Sequence, residues 1–397
     1  ETICRRHEVD ATVIGEVTET GLLRAFYDGE LVGDIPVSTL TDDAPRYELD
    51  CARPARLVDE PVAAPDSDVT PEAALRALLG APGSAGRGWV MRQYDQLVGS
   101  GTVVRPGGDA AVVRLTPSQR AIAISLDGNG RRTWLDPRRG GMSAVCEAAR
   151  NVACTGARPA AVTNCLNFGN PEDPEIGYEL AEAIAGMAAA CTALGLPVVS
   201  GNVSLYNEHD GRPILPTPVV GVVGVLDDAE LAVRIGFHEA GDVVLLAGAG
   251  RSAIDGSDYQ KVILGEVAGR IPEPDLEHER ALHSFLAAAA DRKLLCSAHD
   301  VGGGGLAVAV AESAMAGGIG VRVEEGGDLF GEGDGRVVVS ARRADVAALR
   351  RLASGLPLRR LGAVGGTEIA VGPARIALAD AVAAYEGALP AIMDGDG

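Results

Sequence analysis

Two apolar runs constrain the fold of this chain more than any other feature. Residues 160–171 read AAVTNCLNFGNP, and residues 198–208 read VVSGNVSLYNE. Each has the pattern of a buried strand that breaks into a loop of small and amide-bearing residues. Between them, residues 176–194 form one helix-like stretch. Loops at strand ends are where α/β proteins place ligand chemistry. In the second run Ser200, Gly201, Asn202 and Ser204 follow Pro197-Val198-Val199 directly. Gly201 lets backbone N–H groups approach a phosphate. Asn202 offers a neutral oxygen of the kind Mg²⁺ accepts, and Ser204 offers a hydroxyl. The same residues also suit a plain turn.

A chain of 397 residues has room for two or three domains. Its 52 glycines are too many for a helical bundle and suit an α/β or α+β protein rich in loops. The formal net charge of −20 argues against nonspecific binding to nucleic acid or to an anionic membrane. An anionic substrate must therefore be captured by local donors or by metal. Seven scattered cysteines without CxxC spacing read as reduced thiols of a cytoplasmic protein. Cys165 follows Asn164 and reads as a small buried residue rather than a nucleophile. No stretch approaches the ~20 apolar residues of a membrane span, and no secretory signal opens the chain.

Strand-like runs cover residues 11–17, 22–27 and 30–36, with Asp28-Gly29 as a hairpin turn. Residues 361–371 repeat the grammar of residues 14–24: a GxV strand, a turn and a second strand. Residues 1–45 therefore read as the tail of a repeat unit whose complete copy ends at the C-terminus, and the chain as a fragment. Residues 51–88 read as a linker, with a helix over 71–79 and a flexible join over 80–88. Residues 89–228 and 236–397 read as two domains. In the first, Asp127-Gly128-Asn129-Gly130-Arg131 predicts a turn with positive φ, where a carboxylate and an arginine can meet phosphate or metal. An Ala-rich helix follows over 142–155. In the second, a strand over 294–298 enters His299-Asp300-Val301-Gly302-Gly303-Gly304-Gly305 and then a helix. That order predicts an anion site at a helix N-terminus. His299 reads as a structural histidine at a strand end, with acid or base chemistry as the alternative.

The pair TNCLNFGNPE and SGNVSLYNE, with DGNGR and EAARNVACTGARP upstream, resembles the phosphoribosylformylglycinamidine synthases, purine-pathway ligases. Their synthetase subunit carries TDCLNFGNPE and SGNVSLYNE at this separation. The resemblance runs, with gaps, along the whole chain and points to the C-terminal half of the small bacterial type. It implies an α/β (α+β) fold: a PurM-like tandem of an N-type domain (89–228) and a C-type domain (236–397), preceded by the tail of an earlier C-type domain (1–50).

The implied reaction converts formylglycinamide ribonucleotide and glutamine-derived ammonia to formylglycinamidine ribonucleotide, with ATP going to ADP and phosphate. By the same resemblance, Asn164 and Gly201 contact ATP, Asn202 ligates Mg²⁺, and Ser204 contacts substrate. Asn164 stands where the family has Asp, which keeps an acceptor and loses a charge. The catalytic base is expected outside this chain. A glutaminase subunit and a small bridging subunit are the implied partners. Two departures stand out: Gly302 and Gly303 replace a Ser-Glu, and Gly331 interrupts the usual LFSE before Glu332. Alternative readings are a sister ATP-using synthetase, making aminoimidazole ribonucleotide or selenophosphate, or a nucleotide-binding half that does not turn over alone.

Overall fold

The computed structural model describes residues 1–46, 48–62, 67–324 and 327–395. They divide into two compact units, Glu1–Leu49 and Asp50–Gly397. In the first, a short helix α1 (Thr2–Arg6) precedes a hairpin of β1 (Leu22–Tyr27) and β2 (Glu30–Pro36). The predicted turn is there: Asp28 and Gly29 both take positive φ, +48° and +85°, the combination a two-residue hairpin loop requires. The strand expected over 11–17 is not: that segment is irregular and has no ladder partner. None of the described residues of this unit is buried.

The second unit opens with α2 (Pro71–Leu79), which starts behind Thr70, whose hydroxyl accepts from the N–H of Ala73. A one-turn helix α3 (Gly88–Met91) follows. The later part of the stretch read as a linker, from α2 onward, is packed. Leu75, Leu78 and Leu79 are fully buried in a core that includes Leu306, Val308 and Val310. Each such leucine contributes roughly 2 kcal/mol of burial, which outweighs the flexibility that Gly and Ser around residue 83 suggest. Residues 63–66 of that stretch lie outside the described residues.

Six strands build the first sheet: β3 (Thr102–Val104), β4 (Ala111–Arg114), β5 (Ala121–Asp127), β6 (Arg158–Asn167), β7 (Val198–Ser204) and, after a small ribbon of β8 (Glu208–His209) and β9 (Arg212–Pro213), β10 (Thr217–Leu226). Their order is β3-β4-β5-β10-β6-β7, antiparallel except for the parallel pair β6–β7. Between β5 and β6 run α4 (Gly130–Leu135) and α5 (Pro137–Cys154), and between β6 and β7 runs α6 (Pro174–Leu194). The predicted positive-φ turn at 127–131 is a helix start. Asn129 caps α4 through its side-chain oxygen, which accepts from the N–H groups of Arg131 and Arg132, and neither Gly128 nor Gly130 has positive φ. Helices α5 and α6 lie backbone to backbone. A Cβ added at Gly186 would fall 1.9 Å from the carbonyl oxygen of Arg138. Both helices share one core with the sheet, through Val145, Ala149 and Met187 against Val162, Val220 and Val222.

The second sheet has seven strands: β11 (Val243–Ala247), β12 (Ser297–Asp300), β13 (Val321–Val323), β14 (Val337–Ala341), β15 (Leu358–Val364), β16 (Glu368–Val371) and β17 (Ala374–Ala377). Both its faces are covered, which is why β11 and β14 are buried at every position. Val244, Leu246 and Val338 pack with α2 and with α8 (Gly305–Gly317). Val243, Leu245, Val337 and Val339 pack with α7 (Leu276–Asp291) and α9 (Val346–Ala353). Ala153 and Cys154 at the end of α5 join that second core. Helix α10 (Leu378–Met393) closes the chain. No described helix is long and apolar enough to cross a membrane.

Candidate active site

The residues singled out in the two amide-rich segments lie inside strands, not in loops after them. Strand β6 runs through Asn167 and β7 through Ser204, because the two segments hydrogen-bond to each other as a parallel ladder. Register brings the predicted residues side by side. Asn164 pairs with Gly201, Cys165 with Asn202, and Asn167 with Ser204.

Strand alternation then divides them. Asn202 and Ser204 share one face with Thr163, Cys165, Asn167 and Ser200. Asn164 and Gly201 share the other face, that of the buried Val162 and Leu166. Strand β7 is the edge of its sheet and exposed at six of its seven positions, so solvent reaches it from both sides. Glycine at 201 has a packing reason within the ladder. A Cβ there would fall 2.5 Å from Oδ1 of Asn164, so the glycine makes room for that amide.

A shallow hollow of about 260 Å³ lies over this ladder, bordered by Leu126, Thr163, Asn164, Ser200, Asn202 and Gly221, among others. Its floor is uncharged. Thr163 Oγ1 and Ser200 Oγ are 2.8 Å apart. Nδ2 of Asn202 is 3.6 Å from the sulfur of Cys165, and among the described residues no protein donor lies at hydrogen-bond distance from its carbonyl oxygen. Ser204 Oγ donates to Oδ1 of Asn207 at 3.2 Å, and Asn207 Nδ2 donates to the carbonyls of Ser204 and Phe168. Thr163 escaped sequence reasoning. Its signal was the two-residue period that places it beside Ser200 once the strands are paired.

The other two candidate anion or metal sites are filled by the chain's own groups. Asp127 is half-buried and accepts from Nδ2 of Asn151 at 2.9 Å. Burial, with the nearby Asp300 charge, pushes its carboxyl up to about 7 despite that bond. Arg131 pairs with Asp258 rather than facing a vacant phosphate position. At the glycine loop, the N–H of Gly304 donates to Oε1 of Glu332 at 2.7 Å, as does the N–H of Asp258. A Cβ at Gly302 would meet Glu147 Oε1 at 2.9 Å, and one at Gly303 would meet Asp258 Oδ2 at 2.8 Å. This helix N-terminus is thus ringed by carboxylates, and the predicted external anion site is not vacant. Burial and Asp258 raise the Glu332 carboxyl to about 7. His299, on β12, is held between Asp109 and Glu312. Among the described residues, no group of three or more His, Cys, Asp or Glu side chains is arranged to hold a metal.

Two family descriptions match the chain: AIR synthase related protein, N-terminal domain, over residues 107–226, and AIR synthase related protein, C-terminal domain, over residues 239–371. The chain belongs to the AIR synthase related family. The two matched segments hold the two sheets of the second unit except for one edge strand of each, β3 and β17, so the family's mixed α/β, PurM-like fold is present. The phosphoribosylformylglycinamidine synthase subunit PurL of Moorella thermoacetica is 47% identical over 349 residues, covering 85% of this chain and 47% of that protein. A solved T. maritima PurL complexed with ATP has a TM-score of 0.62 at 23% identity, covering 92% of this chain and 52% of its own. A T. maritima PurL complexed with FGAR has a TM-score of 0.59 at 24% identity, covering 88% and 48%. The chain spans about half the length of the curated relatives it matches.

Proposed function

We propose that this chain is part of a phosphoribosylformylglycinamidine synthase and supplies one wall of its ATP–substrate cleft. The intact enzyme converts formylglycinamide ribonucleotide and glutamine-derived ammonia to formylglycinamidine ribonucleotide, ADP and phosphate. One observation carries the reading: the register Asn164–Gly201, Cys165–Asn202, Asn167–Ser204 gathers the four family-matched residues on two adjacent strands at an open sheet edge.

In this assignment Asn164 on β6 and its ladder partner Gly201 on the edge strand β7 contact ATP. Asn202 turns its free carbonyl oxygen to Mg²⁺, and Ser204 meets the substrate beside it. One amide oxygen is the donor chemistry Mg²⁺ accepts, and Asn202 would hold the ion alongside ligands that this wall does not supply. When bound, Mg²⁺ supplies charge neutralisation for the transferring phosphoryl group. The described residues lining the hollow include no cation, and the resemblance assigns the positive donors and the base to the part of the longer protein outside this chain. Residues 1–50 are assigned to the end of a preceding C-type domain, in keeping with a hairpin that buries nothing by itself. Residues 89–228 and 236–397 are the N-type and C-type domains. The proposed partners are a glutaminase subunit and a small bridging subunit, and the proposed setting is the cytoplasm.

The test is amidine formation by a subunit of the relatives' full length with Asn202→Ala. Turnover and Mg²⁺ dependence unchanged from the parent would reject the assignment.

A further inference from the structure

Arg150 sits on α5 in the domain matched over 107–226, yet most of its polar partners belong to the other domain. Its guanidinium is 1% exposed. Nε bonds Oδ1 of Asp300 and Nη2 donates to Oδ2 of the same carboxylate at 3.3 Å, a forked contact with β12. Nη1 donates to Oε1 of Glu279 on α7 at 2.6 Å and lies 3.5 Å from Oδ1 of Asp334. All three carboxylates are nearly or fully buried. Asp334 has further help across the same junction: Arg132 Nη2 at 3.2 Å and the hydroxyl of Ser143 at 2.9 Å. Glu279 also faces His283 at 3.2 Å. Asp300 has Arg150 alone among the arginine and lysine contacts of the described residues.

A buried carboxylate without a cation is costly, and one guanidinium presenting a rigid fork is the side chain suited to serve several at once. The neighbouring Asp127 and Glu147 carboxyls make this junction acidic, and the glycine loop beside it is already capped by Glu332. We propose that Arg150 is the internal counter-ion of the acidic junction between the two domains, and that its contacts with Asp300, Glu279 and Asp334 clamp them into one body. The junction carries its own cation and its own anions, and so leaves the ligand chemistry to the open edge of β7. The assignment of Arg150 stands or falls separately from the proposed synthase activity, because its test needs no turnover.

The measurement is thermal melting of the full chain. Arg150→Met keeps an unbranched apolar stem as far as the position of Nε and removes the charge. Its midpoint should fall on the order of 10 °C, since breaking a buried ion cluster by removing one partner is strongly destabilising. Arg150→Ala should be restored in part by low millimolar guanidinium and not by sodium chloride at equal ionic strength. The variant Arg150→Met/Glu279→Gln/Asp300→Asn removes Arg150 together with the Glu279 and Asp300 charges, leaves Asp334 its Arg132 partner, and should melt well above Arg150→Met; this comparison serves even if Arg150→Ala does not fold. An Arg150→Met chain that melts with the wild type would overturn the proposal. So would a triple variant no more stable than Arg150→Met, or sodium chloride restoring Arg150→Ala as well as guanidinium does.

Discussion

Nδ1 of His299 lies 2.6 Å from Oδ1 of Asp109, joining β12 of one domain to the loop before β4 of the other. The same Asp109 carboxylate accepts from the N–H of Asp300. On the far side of the ring, Nε2 lies 3.0 Å from Oε2 of Glu312 on α8, and the Tyr385 hydroxyl donates to Oε1 of Glu312 at 3.2 Å. Both ring nitrogens therefore face carboxylates, which only an imidazolium satisfies as double donor.

Burial lowers the His299 pKa, but Asp109 and Glu312 outweigh it and hold the ring well above the ordinary value of 6.5. A histidine raised in the folded state contributes stability that is fully present below its unfolded pKa, about 6.5, and is lost as pH rises through the folded value. At pH 7–8 the ring should give the NMR signature of an imidazolium, and His299→Gln should lower the melting temperature. The deficit should shrink at alkaline pH. A ring titrating near 6.5 would show that the carboxylates do not hold it.

Glu332 runs with the opposite sign to an ordinary ion-paired carboxylate. Its folded pKa of about 7 stands above the ordinary glutamate value of 4.5. The folded state thus binds the proton more tightly, and stability from this group is present below about 4.5 and lost as pH rises through 7, on the order of 3 kcal/mol in total. Glu332→Gln keeps an oxygen for the N–H groups of Gly304 and Asp258. Denaturant unfolding at pH 5 and pH 8 should differ less in this variant than in the wild type. Equal pH dependence in the two would contradict the assignment.

Gly186→Ala sets two effects against each other. Alanine improves helix propensity by about 1 kcal/mol. Its Cβ would sit 1.9 Å from the Arg138 carbonyl oxygen and 3.1 Å from the Met142 nitrogen, both backbone atoms of α5. Backbone cannot swing away as a side chain does, so the clash should win, with a net loss of about 1–3 kcal/mol. Chemical denaturation measures it, and a stabilised variant would mean that α5 and α6 can separate without cost.

In a subunit of the relatives' length, Asn202→Ala should reduce turnover ~10²-fold or more while leaving the melting temperature nearly unchanged, because the side chain is exposed. Ser204→Ala removes a hydroxyl worth about 0.5–1.5 kcal/mol and should raise KM for the ribonucleotide more than for ATP. Steady-state kinetics with thermal melting separate these outcomes from unfolding. Loss of activity that tracks loss of fold would remove Asn202 from the cleft.

Short-range order was legible before any coordinates. Helix α2 spans the expected residues 71–79, β1 and β2 match to the residue, and α6 differs from expectation by one half-turn at its start. Caps, turn glycines and apolar periodicity act over a few neighbouring residues, so a sequence displays them directly. The residues matched to the family motifs were legible for the same reason: they form two continuous words. What needed tertiary structure was everything set by distant partners. Whether Asn202 and Asn164 share a face depends on the β6–β7 register, and that register appears only when the strands pair. The glycine loop read as an open anion site, yet the carboxylate that fills it comes from Glu332, 28 residues beyond Gly304. Arg150 and Asp300 stand 150 residues apart in the chain. No local pattern announces such a meeting, because charge neutralisation in a buried junction is a property of the packed domains and not of either segment.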